Sequence, residues 1–68
     1  DQFLGKVVHV LAEEVKNGWY EGLTDEYIRV TIRSEGVERG ILYPVRITAI
    51  TEEGMVGKIE NQELEIRN

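Results

Sequence analysis

The stretch Gly22-Leu-Thr-Asp-Glu-Tyr-Ile-Arg-Val30, continued by Thr31-Ile-Arg33, is a polar corner followed by a strand with two unlike faces. Thr24-Asp25-Glu26 supplies the corner, and the strand is expected from Tyr27 to Arg33. Successive strand residues point to opposite sides. Ile28, Val30 and Ile32 therefore share one side, and Arg29, Thr31 and Arg33 share the other. A row of β-branched apolar residues requires a core, while a row of arginines requires water or a polar partner, so this is a half-buried strand of a sheet with one wet face.

Working outward, Leu4 to Lys16 reads as a long valine-rich strand that runs into Asn17-Gly18. Asn-Gly is the pair best suited to a type I′ hairpin, because both central residues need positive φ. That turn pairs Lys16 with Trp19, Val15 with Tyr20 and Glu14 with Glu21, and it starts a second strand from Trp19 to about Leu23. The pattern leaves open which side of the first strand is core: Val8, Val10 and Ala12 fit, but Val7, Leu11 and Val15 lie opposite them. A bulge could bury parts of both.

Downstream, Ser34 to Arg39 is a loop with Gly36 and Gly40 as breakers. A fourth strand, Ile41 to Thr51, carries Tyr43, Val45, Ile47 and Ala49 on one face and Leu42, Arg46, Thr48 and Ile50 on the other. Pro44 lacks an amide donor and predicts an edge or a bulge there. Glu52-Glu53-Gly54 turns the chain into Met55 to Glu60, and Leu64 to Arg67 either adds a short closing strand or frays. A helix over Val8 to Lys16 is disfavoured by its valines and by the flanking Gly5 and Gly18. Short strands with glycine turns imply an all-β chain, here a small five-stranded antiparallel β-barrel, OB-like or SH3-like.

At 68 residues the chain is a single domain with a thin core. It has no cysteine, hence no disulfide framework and no thiolate metal site, which fits a reducing compartment. No apolar run approaches the ~20 residues that span a bilayer, and Asp1-Gln-Phe-Leu-Gly5 does not look like a signal peptide. Because the chain opens on Asp1 rather than methionine, an excised domain or a processed chain is expected. The net charge of −5 argues against a strong nonspecific hold on phosphate backbones. The acids nevertheless gather near expected turns and ends, at Glu13-Glu14, Asp25-Glu26, Glu52-Glu53 and from Glu60 to Glu65, which leaves room for a local cationic stripe on the strands.

Little in the chain points to catalysis or to metal binding. His9 is the sole histidine and reads as a strand residue on the outer face. Adjacent acids on a strand point to opposite faces, so Glu13-Glu14 and Glu52-Glu53 do not converge as an acid and a base. No EF-hand loop, no His/Cys spacing and no phosphate-cradling glycine loop is present. The outward row Arg29, Thr31 and Arg33 is the best candidate site, extended by Arg46 and Thr48 if the third and fourth strands lie close. Arginine offers a planar fork for phosphate and a surface for base stacking; the alternative is an ordinary solvated strand face. Trp19 and Tyr20, beside Lys16, either stack an unpaired nucleotide or cover the barrel. Tyr27 and Tyr43 read as core or rim residues, and Lys58 as a lone solubilising charge.

Leu4-Gly-Lys6, Val10-Leu-Ala-Glu-Glu14, Gly22-Leu-Thr-Asp-Glu-Tyr-Ile-Arg-Val30, Val45-Arg-Ile-Thr48 and Met55-Val-Gly57 together resemble a TRAM domain, as found at the C-terminus of radical-SAM tRNA methylthiotransferases. The resemblance spans nearly the whole chain and rests on the order and spacing of short elements. It implies that residues 1–68 form one TRAM-like module excised from a larger cytoplasmic enzyme that adds a methylthio group to a modified adenosine in the tRNA anticodon loop. The parent's iron–sulfur clusters and S-adenosylmethionine would belong to other domains, leaving this fragment without catalysis or cofactor. Its implied partners are tRNA and the radical-SAM domain of the same chain, with no membrane. Tyr27-Ile-Arg-Val30 is similar to the subgroup acting on threonylcarbamoyladenosine. A ribosomal-protein methylthiotransferase shares the architecture and would use the domain to hold a protein. One position departs from the family: its usual Glu-Asn before the tyrosine is Asp25-Glu26 here, which removes an amide donor and adds negative charge beside Arg29. On this reading Arg29, Thr31, Arg33, Arg46, Thr48, Lys16 and Trp19 are the candidate RNA-binding residues.

Overall fold

Asn17 and Gly18 both take positive φ, 55° and 86°, and the hairpin they close pairs Lys16 with Trp19, Val15 with Tyr20 and Glu14 with Glu21 as expected. The computed structural model describes residues 3–60, so the segment Leu64 to Arg67, read as a closing strand or a frayed end, lies outside the described residues. Five strands follow in order: β1 (Val7–Lys16), β2 (Trp19–Leu23), β3 (Arg29–Ile32), β4 (Leu42–Thr51) and β5 (Gly54–Ile59). They close into a barrel in the order β1-β2-β3-β5-β4, with β4 returning to β1.

One seam differs from the all-antiparallel expectation: β3 and β5 run parallel. A closed ring with an odd number of strands cannot alternate direction throughout, so closure with five strands requires a parallel pair. The loop from Arg33 to Ile41 carries the chain past this seam, and β4 and β5 then form an antiparallel hairpin. β5 therefore sits between β3 and β4, and the third and fourth strands are not neighbours.

Val10, Ala12, Val30, Ile32, Val45, Ile47 and Met55 form the buried core, with Phe3, Val8, Tyr20, Ile28, Val37, Tyr43 and Ile59 packed around it. The side of β1 bearing Val8, Val10 and Ala12 is thus the inner one, and Val7, Leu11 and Val15 are exposed. Register shifts mark bulges between Ala12 and Glu14 in β1 and between Ile47 and Ala49 in β4. A bulge inserts one residue and ends strict alternation, which is why Ala49 is exposed rather than in the core with Val45 and Ile47. Gly22 lets the strands approach closely: a Cβ there would run into the Leu11 carbonyl and the Val10 side chain.

Other boundaries shift for local reasons. The expected first strand loses Leu4 to Lys6 to a turn in which the Lys6 amide donates to the Phe3 carbonyl, at 3.0 Å. The third strand starts at Arg29, because the Thr24 hydroxyl accepts from the amides of Glu26 and Ile28 (3.2 and 3.1 Å) and holds the corner closed. Tyr27 is carried into the left-handed region (φ 64°) and is 81% exposed, so it belongs to neither core nor rim. Tyr43 does sit at the rim, its hydroxyl accepting the Glu38 amide at 2.8 Å. Pro44 lies opposite His9 inside the β1–β4 ladder, not on an edge. Its carbonyl faces β5 and accepts the Glu60 amide at 2.8 Å. The N and O of one strand residue face the same neighbour, so the missing donor points past the end of β5 and breaks no bond to β1.

Candidate functional site

Inward packing of Val30 and Ile32 obliges Arg29, Thr31 and Arg33 to face outward from β3. Their neighbours follow from register: Leu23 lies opposite Arg29, Glu21 opposite Thr31, and on the other side Val56 lies opposite Thr31. The Arg33 amide donates to the Gly57 carbonyl at 2.8 Å, continuing the parallel seam beyond the strand. On β2 the outward residues are Trp19, Glu21 and Leu23, since Gly22 points in. The Arg33 guanidinium lies over the Trp19 ring, 5.7 Å from its centroid. Such a pair is worth ~0.5–1 kcal/mol where exposed, and it orders both side chains.

These residues line a groove of about 430 Å³. Its floor is the outer face of β2, β3 and β5. One wall is the Lys16-Asn17 end of the first hairpin, and the other is the Thr51-Glu52-Glu53-Gly54 turn of the second. Lys16, Trp19, Arg29, Thr31 and Arg33 all fall within it. Three acids, Glu21, Glu52 and Glu53, share it with three bases, Lys16, Arg29 and Arg33. The groove is polar and of mixed charge, and the bases are supplied mainly by its floor.

Arg46 and Thr48 stand apart from it. With β5 between β3 and β4, neither residue lines the groove. Arg46 grips Glu60 with two parallel bonds, Nε to Oε1 at 2.8 Å and Nη2 to Oε2 at 3.0 Å, and its Nη1 donates to the Gly5 carbonyl at 2.6 Å. The hydrogen bonding to Glu60, and then the charge attraction of its carboxylate, raises the Arg46 pKa above the usual arginine value. The guanidinium thereby ties the turn before β1 to the end of β5. Thr48, at the β4 bulge, donates its hydroxyl to the Val56 carbonyl at 3.3 Å. Lys58 faces outward opposite Arg46 and is likewise outside the groove lining.

The chain matches no protein-family model and no curated protein.

Glu21 was not singled out from the sequence, although it stands two residues after Trp19 and so shares its face. Glu52 and Glu53 read as solvated turn charges; only the closure of the barrel turns them toward the Lys16 hairpin. Among the described residues no group of His, Asp or Glu side chains is arranged to hold a metal ion. His9 is exposed on β1, outside the groove, and lines a separate shallow pocket with Phe3, Val8, Thr24, Asp25 and Glu26.

Proposed function

We propose that this domain is an RNA-holding module, a TRAM-like barrel that positions tRNA at its anticodon arm for methylthiolation by the radical-SAM domain of a parent enzyme. Catalysis, the iron–sulfur clusters and S-adenosylmethionine belong on this reading to the rest of that parent, in the cytoplasm. The observation that carries it is the groove, which gathers Lys16, Trp19, Arg29, Thr31 and Arg33 on one face of a net-acidic barrel. Cations on its floor suit phosphate, the indole suits a base, and the threonine hydroxyl can bond sugar or phosphate. The flanking acids keep the hold modest, as befits a module that adds affinity to a larger enzyme. Arg46 and Thr48 contribute through the fold rather than by direct contact, because both are already engaged.

The test is an NMR titration of the labelled domain with an unmodified anticodon stem-loop at low salt. Shifts gathered on Lys16, Trp19, Arg29, Thr31 and Arg33 are expected. A silent spectrum at millimolar RNA would refute the reading.

A second reading, docking to protein, is favoured by a separate observation. The β1–β4 seam, opposite β3 in the ring, exposes Val7, Leu11 and Leu42 to 39%, 39% and 56%. Such a strip suits packing on the parent's own catalytic domain or on a ribosomal protein, and shifts confined to it on adding either protein would mark that role.

A further inference from the structure

We infer that the groove reads an unpaired guanine in single-stranded RNA, with Trp19 as the stacking surface and the Glu21 carboxylate as the base-reading group. The inference rests on the RNA-holding reading above and assigns it a base preference. It starts from a carboxylate that is out of place in a phosphate-binding face. Glu21 is half-buried on the groove floor, in a lining that also includes Lys16, Arg29 and Arg33. Among the described residues it nevertheless has no ion pair and no side-chain hydrogen bond. A half-buried, unpaired carboxylate would weaken any surface that served phosphate alone. Both of its oxygens are free to accept from a ligand.

The register sets its reach. Trp19 and Glu21 project from the same face of β2, about 7 Å apart along the strand. Two side chains rooted that far apart on one face can serve a single base, one beneath its ring and one at its edge. A base lying on the Trp19 ring takes the place of the Arg33 guanidinium that covers it, releases that cation toward the backbone phosphate, and turns its Watson–Crick edge to Glu21.

An ionised carboxylate only accepts hydrogen bonds, and its two oxygens suit two parallel N–H donors. Guanine presents that pair, N1–H beside the N2 amino group. Adenine and cytosine offer one amino donor next to a ring-nitrogen acceptor, which the carboxylate repels. Uracil offers a single N–H between two carbonyls. In a duplex the guanine edge is already taken by cytosine, so only an unpaired base qualifies.

The experiment is fluorescence anisotropy with labelled RNA pentamers UUGUU, UUAUU, UUCUU and UUUUU at low salt, with emission from the sole tryptophan, Trp19, read in parallel. UUGUU is expected to bind about tenfold more tightly than the others, in line with one bidentate base contact. The preference should disappear in Glu21→Gln, whose side chain has one acceptor and one donor, while UUUUU binds that variant at least as well as the native chain. The same guanine placed in a hairpin stem should lose the advantage. Equal affinity for the four pentamers, or a preference that survives Glu21→Gln, overturns the guanine assignment and leaves RNA holding intact. Guanosine monophosphate binding as tightly as UUGUU would make the ligand a free nucleotide and overturn the RNA assignment. If no pentamer binds and Trp19 emission does not change, the RNA-holding reading itself fails and takes the inference with it.

Discussion

Substituting Arg33 by glutamine should weaken RNA binding and, more tellingly, reduce its dependence on salt. The groove contains three bases, Lys16, Arg29 and Arg33. Each phosphate contact to a single strand adds about −0.7 to the slope of log affinity against log salt, so three contacts give a slope near −2. Between 50 and 200 mM salt the native domain should then lose about 20-fold in affinity. Arg33→Gln leaves two contacts, a slope of about −1.4 and a loss of about sevenfold over the same range. Arg46→Gln is the decisive comparison. Its guanidinium is occupied by Glu60 and by the Gly5 carbonyl, so removing it should leave the slope unchanged while lowering the stability of the barrel. Titrations of a labelled anticodon stem-loop at four salt concentrations, with a denaturant melt of each variant, measure both quantities. If Arg46→Gln flattens the slope as much as Arg33→Gln, the separation of a groove from a structural arginine is wrong. A slope near zero for the native chain would remove phosphate contact from the reasoning altogether.

Two further predictions concern the scaffold. Tyr27 holds φ 64° while 81% exposed, so Tyr27→Gly should relieve left-handed strain and lose little packing; a gain of ~0.5–1 kcal/mol in chemical denaturation is expected, and a loss would show that the tyrosine ring makes contacts that matter. Gly22→Ala puts a Cβ against the Leu11 carbonyl, so the β1–β2 pairing must shift; a loss of ~1–3 kcal/mol is expected, read in the same melt, and unchanged stability would mean that the strands can separate there without cost.

The sequence by itself determined whatever depends on local pattern. The Asn17-Gly18 hairpin and its pairs follow from two residues that tolerate positive φ, and the inner row Ile28, Val30 and Ile32 follows from strand alternation. The strand count and the barrel class were legible from apolar alternation and turn residues, both local properties. Where alternation breaks, the sequence is mute. The bulges after Ala12 and Ile47 respond to strain from bending a sheet into a small barrel, so the exposure of Ala49 and the inner side of β1 appear only on closure. Ring order is likewise non-local. Nothing near Arg33 or Arg46 announces that β5 inserts between their strands, yet that insertion separates Arg46 from the groove and gives it to Glu60 instead. The mixed charge of the groove arises in the same way, from two hairpin turns distant in sequence that meet across one sheet face because the ring closes.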